Sequence, residues 1–298
     1  MLLNRRIGLL IGLGIAIALI MLIVLVTPIR YTLGDALLSL WRGVLDLPGV
    51  AWLREQGAVD AAEQGSSVGV EMIDAILEKG HELQQQEVYD EALKRYREAL
   101  RLKEDYAPTH VALASLYMQR GMEDEALQEL ERAAAIDPDI PLVMGQLGRL
   151  YLKRDELDKA VSALERAVAL DPEEALYRYF LGMAYHYRSY ADIERAVQQM
   201  EMAAKLRPED ADVHYHLAMV YVRRGDEGDQ EAAIKALERS IELDPQQANA
   251  LFYLGQLYWQ ADRTQAAAAA WRRFLEVSDD PERKAQVERA LASLKQGS

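Results

Sequence analysis

Between residues 73 and 281, small, apolar and polar positions recur in one long-period pattern. Aligned on a single residue, the units begin at Ile73, Ala107, Pro141, Ala175, Ala211 and Ala248, with spacings of 34, 34, 34, 36 and 37 residues. The eighth position holds Gly80, Ala114, Gly148, Gly182, Ala218 and Gly255, and the eleventh Leu83, Tyr117, Tyr151, Tyr185, Tyr221 and Tyr258. Further along come Ala92, Ala126, Ala160, Ala196, Ala233 and Ala267, then Ala99, Ala133, Ala167, Ala203, Ser240 and Phe274. A proline stands near the end of four units, at Pro138, Pro172, Pro208 and Pro245. Such a period marks units that cannot bury their apolar faces alone and must stack. Small residues at two fixed places let two antiparallel helices of a unit close together, a large aromatic fills the next gap, and proline opens the following unit.

These positions closely resemble the tetratricopeptide repeat (TPR) family over residues 73–281, as six repeats, with 282–298 as capping helix and tail. Val287, Ala290, Leu291 and Leu294 supply the apolar side of that cap. The first unit departs from the pattern with Glu104 in place of proline, and the fourth and fifth carry extra residues near Ser189–Ile193 and Asp226–Asp229. Those insertions are either tolerated surface loops or places a partner touches. The resemblance implies an all-α, TPR α-solenoid that recognises a protein or peptide in a concave groove. It places the fifth, ninth, twelfth and thirteenth positions of each unit on that groove. The aromatic and methionine-rich half then comprises Tyr179, Met183, His186, Tyr187, Tyr215, Met219, Phe252 and Trp259, the expected partner contacts, whereas Tyr185 falls at a core position. These side chains either take an apolar anchor from a partner or pack on one another. The carboxylate-clamp branch of the family is not matched, because Leu77, His81, Ala112, Leu142 and Gln146 stand where its amides and cations would be.

Ahead of the repeats, residues 7–26 form an uncharged apolar run. At about 1.5 Å per residue, twenty helical residues span roughly the 30 Å hydrocarbon layer. We therefore expect a single transmembrane helix within an N-terminal anchor, 1–30, ended by Pro28; a cleaved signal peptide is the rival reading. Arg5 and Arg6 on one side nearly balance Arg30 and Arg42 on the other, and the free amino terminus tips the TPR domain to the extracytoplasmic side. Residues 31–54 read as a juxtamembrane amphipathic segment with Trp41 and Trp52, lying at the interface or packed on protein. Residues 55–72 read as a flexible linker. Its GSSVG places Ser67 in a G-x-S-x-G spacing, but no strand pattern precedes it, so the hydrolase reading is set aside.

Charge and composition narrow the function. The chain has 34 Lys plus Arg against 48 Asp plus Glu, net −14, and the first 50 residues are slightly positive. A domain this acidic repels phosphate backbones, so nucleic acid is not an expected partner. With no cysteine there is no thiolate nucleophile, thiolate metal site or disulfide. His81, His110, His186, His214 and His216 are scattered over separate units, and no metal or other cofactor is expected. The reading is thus of a non-enzymatic, membrane-anchored scaffold or adaptor that assembles a membrane or envelope complex, with homo-oligomerisation left open. A structural subunit permanently packed into a large complex is the alternative.

Overall fold

The computed structural model describes residues 58–296, with side chains described over 69–294. The expected transmembrane helix 7–26 and the segment 31–54 lie outside the described residues. Among the described residues no helix is long and apolar enough to cross a membrane. These residues form an all-α chain: α1 (Ala58–Gln85), α2 (Tyr89–Leu102), α3 (Ala107–Gln119), α4 (Glu123–Ile136), α5 (Pro141–Lys153), α6 (Leu157–Leu170), α7 (Ala175–Arg188), α8 (Ile193–Leu206), α9 (Ala211–Arg224), α10 (Asp229–Leu243), α11 (Ala248–Gln260), α12 (Thr264–Val277) and α13 (Pro281–Gln296). Five of the six unit starts read from the sequence coincide with the first residue of α3, α5, α7, α9 and α11. The first unit differs, since α1 begins upstream at Ala58.

That early start corrects the linker expected over 55–72. Ala58, Ala61, Ala62, Glu63 and Gln64 are strong helix formers, and the helix they begin runs unbroken into a packed repeat helix, which outweighs the cost of Gly65 and Gly69. Ser67 lies inside α1 with helix on both sides of it, so no strand-to-helix nucleophile elbow forms there.

Each repeat closes through the same physical devices. The fifteenth residue of five units, Glu87, Gly121, Asp155, Gly225 and Asp262, adopts a left-handed conformation with φ between 57° and 71°. This ends the first helix of the pair; at Asp155, for example, the next residue's N–H reaches back to the Tyr151 carbonyl at 2.9 Å. The six alanines of the second helices, Ala92, Ala126, Ala160, Ala196, Ala233 and Ala267, are wholly buried. Opposite the eighth position, one turn further on, the second helix supplies a bulky side chain: Tyr96, Leu130, Leu164, Met200, Leu237 and Trp271, all buried. Where that chain is largest the eighth position is glycine, because a methyl on Gly80 would fall 2.3 Å from Tyr96 and one on Gly255 2.3 Å from Trp271.

The chain divides into two compact units, Met1–Asp137 and Pro138–Ser298. In the first, Ile73, Leu77, Tyr96, Leu113 and Leu116 make the apolar centre. Polar groups buried beside it are paired: the Tyr96 hydroxyl donates to Gln84 Oε1 at 2.8 Å, and Gln84 Nε2 donates to Ser115 Oγ at 3.1 Å. His110 lies 2.6 Å from Glu129 Oε2 through Nδ1 and 3.0 Å from the Glu104 carbonyl through Nε2.

In the second unit one continuous core runs from Ala160 on α6 to Val287 on α13. The eleventh-position tyrosines bridge consecutive pairs, each hydroxyl donating to a glutamate of the preceding repeat: Tyr185 to Glu165, Tyr221 to Glu201 and Tyr258 to Glu238. An arginine lies over each of these rings, among them Arg195 over Tyr185 and Arg224 over Tyr221. The two insertions are ordered from within. Arg188 holds Asp192 at 2.9 Å, and Arg224 holds Asp229 through two bonds of 2.8 and 2.6 Å.

Candidate functional site

The faces of α7, α9 and α11 carry aromatic doublets at the fifth and sixth positions of their repeats: Tyr179–Phe180, Tyr215–His216 and Phe252–Tyr253. Within each doublet the rings meet edge to face, with centroids 5.1, 4.9 and 5.5 Å apart. Contacts between helices join the doublets into one ladder, Tyr179 to His216 at 5.5 Å and Tyr215 to Tyr253 at 6.2 Å. Ring quadrupoles favour such offset and T-shaped meetings, so the rings fix one another and leave little rotamer freedom.

The eight residues expected at the site fall into three groups. Tyr187 and Trp259 stand half exposed, each at 49%. Tyr179, Met183, His186, Tyr215 and Met219 are partly buried, with the two tyrosines and two methionines leaning on the core. Phe252 is core: it is 6% exposed, its ring lies 5.4 Å from Phe274, and the Arg283 guanidinium of the capping helix sits 5.2 Å over its face. In the last repeat the cap covers the fifth position, which the repeat pattern alone leaves open.

The run 177–190 thus divides among four roles. Tyr177 packs where Gly145 of α5 has no side chain, since a methyl there would fall 2.2 Å from its ring. Tyr185 is core, Tyr190 is exposed with its hydroxyl donating to the Arg224 carbonyl, and Tyr179, His186 and Tyr187 belong to the wall. His216 and Tyr253 are wall residues that the fifth, ninth, twelfth and thirteenth positions omit. The doublets themselves are the sequence signal that finds them.

The electrostatics of the wall are those of a part-dry surface. Burial pushes His186 down to about 4, with the nearby charge of Arg223 and the second histidine, His216, acting the same way. Burial also lowers His216, raises Tyr179 and pushes Tyr215 up to about 12. Both imidazoles are therefore neutral at neutral pH. His186 Nδ1 is buried with no hydrogen-bond partner among the described residues. Among the described residues no group of His, Asp and Glu is placed to hold a metal ion. What the wall offers is apolar area, aromatic edges and hydrogen-bond donors.

Comparison with known proteins agrees with this architecture. Residues 179–285, which contain the wall, match the family model described as "Cytochrome c-type biogenesis protein H TPR domain". A general tetratricopeptide repeat model matches residues 83–143 and 124–184. The solved structure titled "Functional Characterization of Pseudomonas Aeruginosa pilF" is 19% identical, with a TM-score of 0.61 over 74% of this chain and 99% of that one. The crystal structure of MamA is 25% identical, with a TM-score of 0.50 over 58% of this chain and 97% of that one. YrrB, described as "a TPR protein with an unusual peptide-binding site", is 23% identical, with a TM-score of 0.53 over 59% and 88%. No curated protein sequence matches significantly. Tetratricopeptide repeat models thus match residues 83–285 between them, and the described helices form a TPR solenoid.

Proposed function

We propose that this protein is a non-enzymatic scaffold or adaptor that captures a partner polypeptide on the α7–α9–α11 wall and so helps assemble a membrane or envelope complex. The observation that carries the reading is Tyr187 and Trp259, two large aromatics held half exposed at either side of a ladder of rigid rings. Large aromatic area presented at little entropic cost is what recognition surfaces use. The match of residues 179–285 to a domain named for cytochrome c-type biogenesis supports an assembly role. The apolar run 7–26 supports membrane attachment, with the repeats outside the cytoplasm.

The test uses the full chain with a C-terminal tag, captured from gently solubilised native membranes beside the Tyr187→Ala/Trp259→Ala variant. Both side chains are half exposed, each touching one ring, His186 for Tyr187 and Trp271 for Trp259, so the variant should keep its helicity and cooperative unfolding with only a modest fall in thermal midpoint. Loss of hot-spot aromatics should weaken capture by about 2 kcal/mol or more, roughly thirtyfold. Identical partners in identical amounts would remove the wall from the function and favour a permanently packed structural subunit.

A further inference from the structure

The wall has more hydrogen-bond donors than its own structure uses. The eleventh-position tyrosines of the same helices each donate to a glutamate. By contrast, the Tyr187 hydroxyl, on a ring that meets His186 at 5.0 Å, has no acceptor among the described residues, whereas Tyr179 lies near the carboxylates of Asp210 and Asp212 and Tyr215 near the Arg283 guanidinium. His186 Nδ1 is buried there without a partner. Beside it is Arg223, the thirteenth residue of its repeat and the counterpart of Tyr187 one repeat earlier. In a chain of net charge −14 its neighbour Arg224 is held by Glu194, Asp226 and Asp229, while Arg223 forms no ion pair among the described residues. A part-buried arginine without a carboxylate, beside a buried imidazole nitrogen and a tyrosine hydroxyl that both lack partners, is a site lacking its acceptor.

We propose that Arg223, with His186 and the Tyr187 hydroxyl, binds the side-chain carboxylate of an aspartate or glutamate in the middle of an otherwise apolar partner segment. The position in the segment follows from what flanks the cation. Tyr187 on α7 lies to one side of it and Trp259 on α11 to the other, both exposed, with Val222 of α9 next to it at 45%. A segment reaching both aromatics must continue past the arginine in both directions, which a terminal carboxylate does not do. The guanidinium fork suits a carboxylate in bidentate fashion, and the drier surroundings strengthen the bond. This inference rests on the wall being the capture surface.

A random-peptide library displayed internally in a carrier protein, selected on the full chain in detergent, supplies the probes. Enrichment of Asp or Glu among Leu, Met and aromatic residues is expected. Synthetic copies of the selected peptides should lose about tenfold in affinity when the acid becomes its amide, and as much on R223Q. Amidating the peptide C-terminus should change nothing. Because Arg223 has no partner to lose, R223Q should keep the wild-type thermal midpoint, and R223E should regain binding to a peptide whose acid is replaced by lysine. Peptides without acidic enrichment that bind R223Q normally, yet are lost on Tyr187→Ala/Trp259→Ala, would overturn the carboxylate site and leave the capture wall standing. Sensitivity to C-terminal amidation instead would overturn the internal position. Binding indifferent to Tyr187 and Trp259 as well would remove both readings together.

Discussion

At the scale of single residues, His110 is the group whose chemistry the structure constrains most. Both ring nitrogens face acceptors, Glu129 and the Glu104 carbonyl, so the doubly protonated, cationic imidazole is the form that can donate to both. The Glu129 hydrogen bond raises its pKa above the ordinary histidine value, against burial and the charge of Arg132. A raised folded pKa means the stabilisation is complete below about pH 6.5 and fades as pH climbs through the folded value. His110→Gln should therefore cost about 1.5–3 kcal/mol near pH 6 and progressively less at alkaline pH. Equilibrium unfolding of the two forms across pH checks this, and a constant difference would mean that the histidine is neutral in the fold. Nothing in the repeat pattern pointed to His110, because its partners, 19 residues on and six residues back, are set by helix packing rather than by the period.

At the scale of elements, the extra residues of the fourth and fifth repeats are not loose loops. Asp229 is 3% exposed, takes two bonds from Arg224 and accepts the Asp226 N–H at 2.9 Å, so one carboxylate pins the whole turn to α9. The Arg224 bond holds its pKa below the ordinary aspartate range. Its contribution is present above about pH 3.9 and is lost as pH falls through the depressed folded value. Asp229→Asn should cost about 1.5–3 kcal/mol in thermal or denaturant unfolding at neutral pH, since the Arg224 guanidinium keeps Glu194 and Asp226 but loses the charged acceptor of its two shortest bonds. A cost below about 0.5 kcal/mol would show that water replaces the carboxylate. Helix pairs, their starts and the small-residue positions were legible in the sequence because each is a local consequence of the period. The insertions were legible only as length, since their Arg–Asp pairing depends on where two helix ends meet. The wall was half legible: the period located the open faces of α7, α9 and α11, but the cap helix that buries Phe252 and the ring ladder that recruits His216 and Tyr253 belong to tertiary packing.

At the scale of the whole molecule, stacked repeats share stability with neighbours rather than with the chain at large. The last repeat offers a clean perturbation. Trp271 is 2% exposed, its Nε1 donates to the Phe252 carbonyl at 3.3 Å, and an added methyl on Gly255 would fall 2.3 Å from Cδ1 and Nε1 of the indole. Gly255→Ala should overpack this contact and cost about 1–3 kcal/mol. The protein also shows how the fault is repaired. Two other units carry alanine at the eighth position and leucine opposite, Ala114 with Leu130 and Ala218 with Leu237, all four buried. Gly255→Ala/Trp271→Leu should thus recover part of the loss. Hydrogen exchange on the full chain reads where the damage goes: faster exchange in α11, α12 and α13, a smaller rise in α9 and α10, and none in α2 to α4. A uniform rise through every helix would show instead that the repeats unfold as one cooperative body, and that a partner gripping the α7–α9–α11 wall would stabilise the first repeats as strongly as the last.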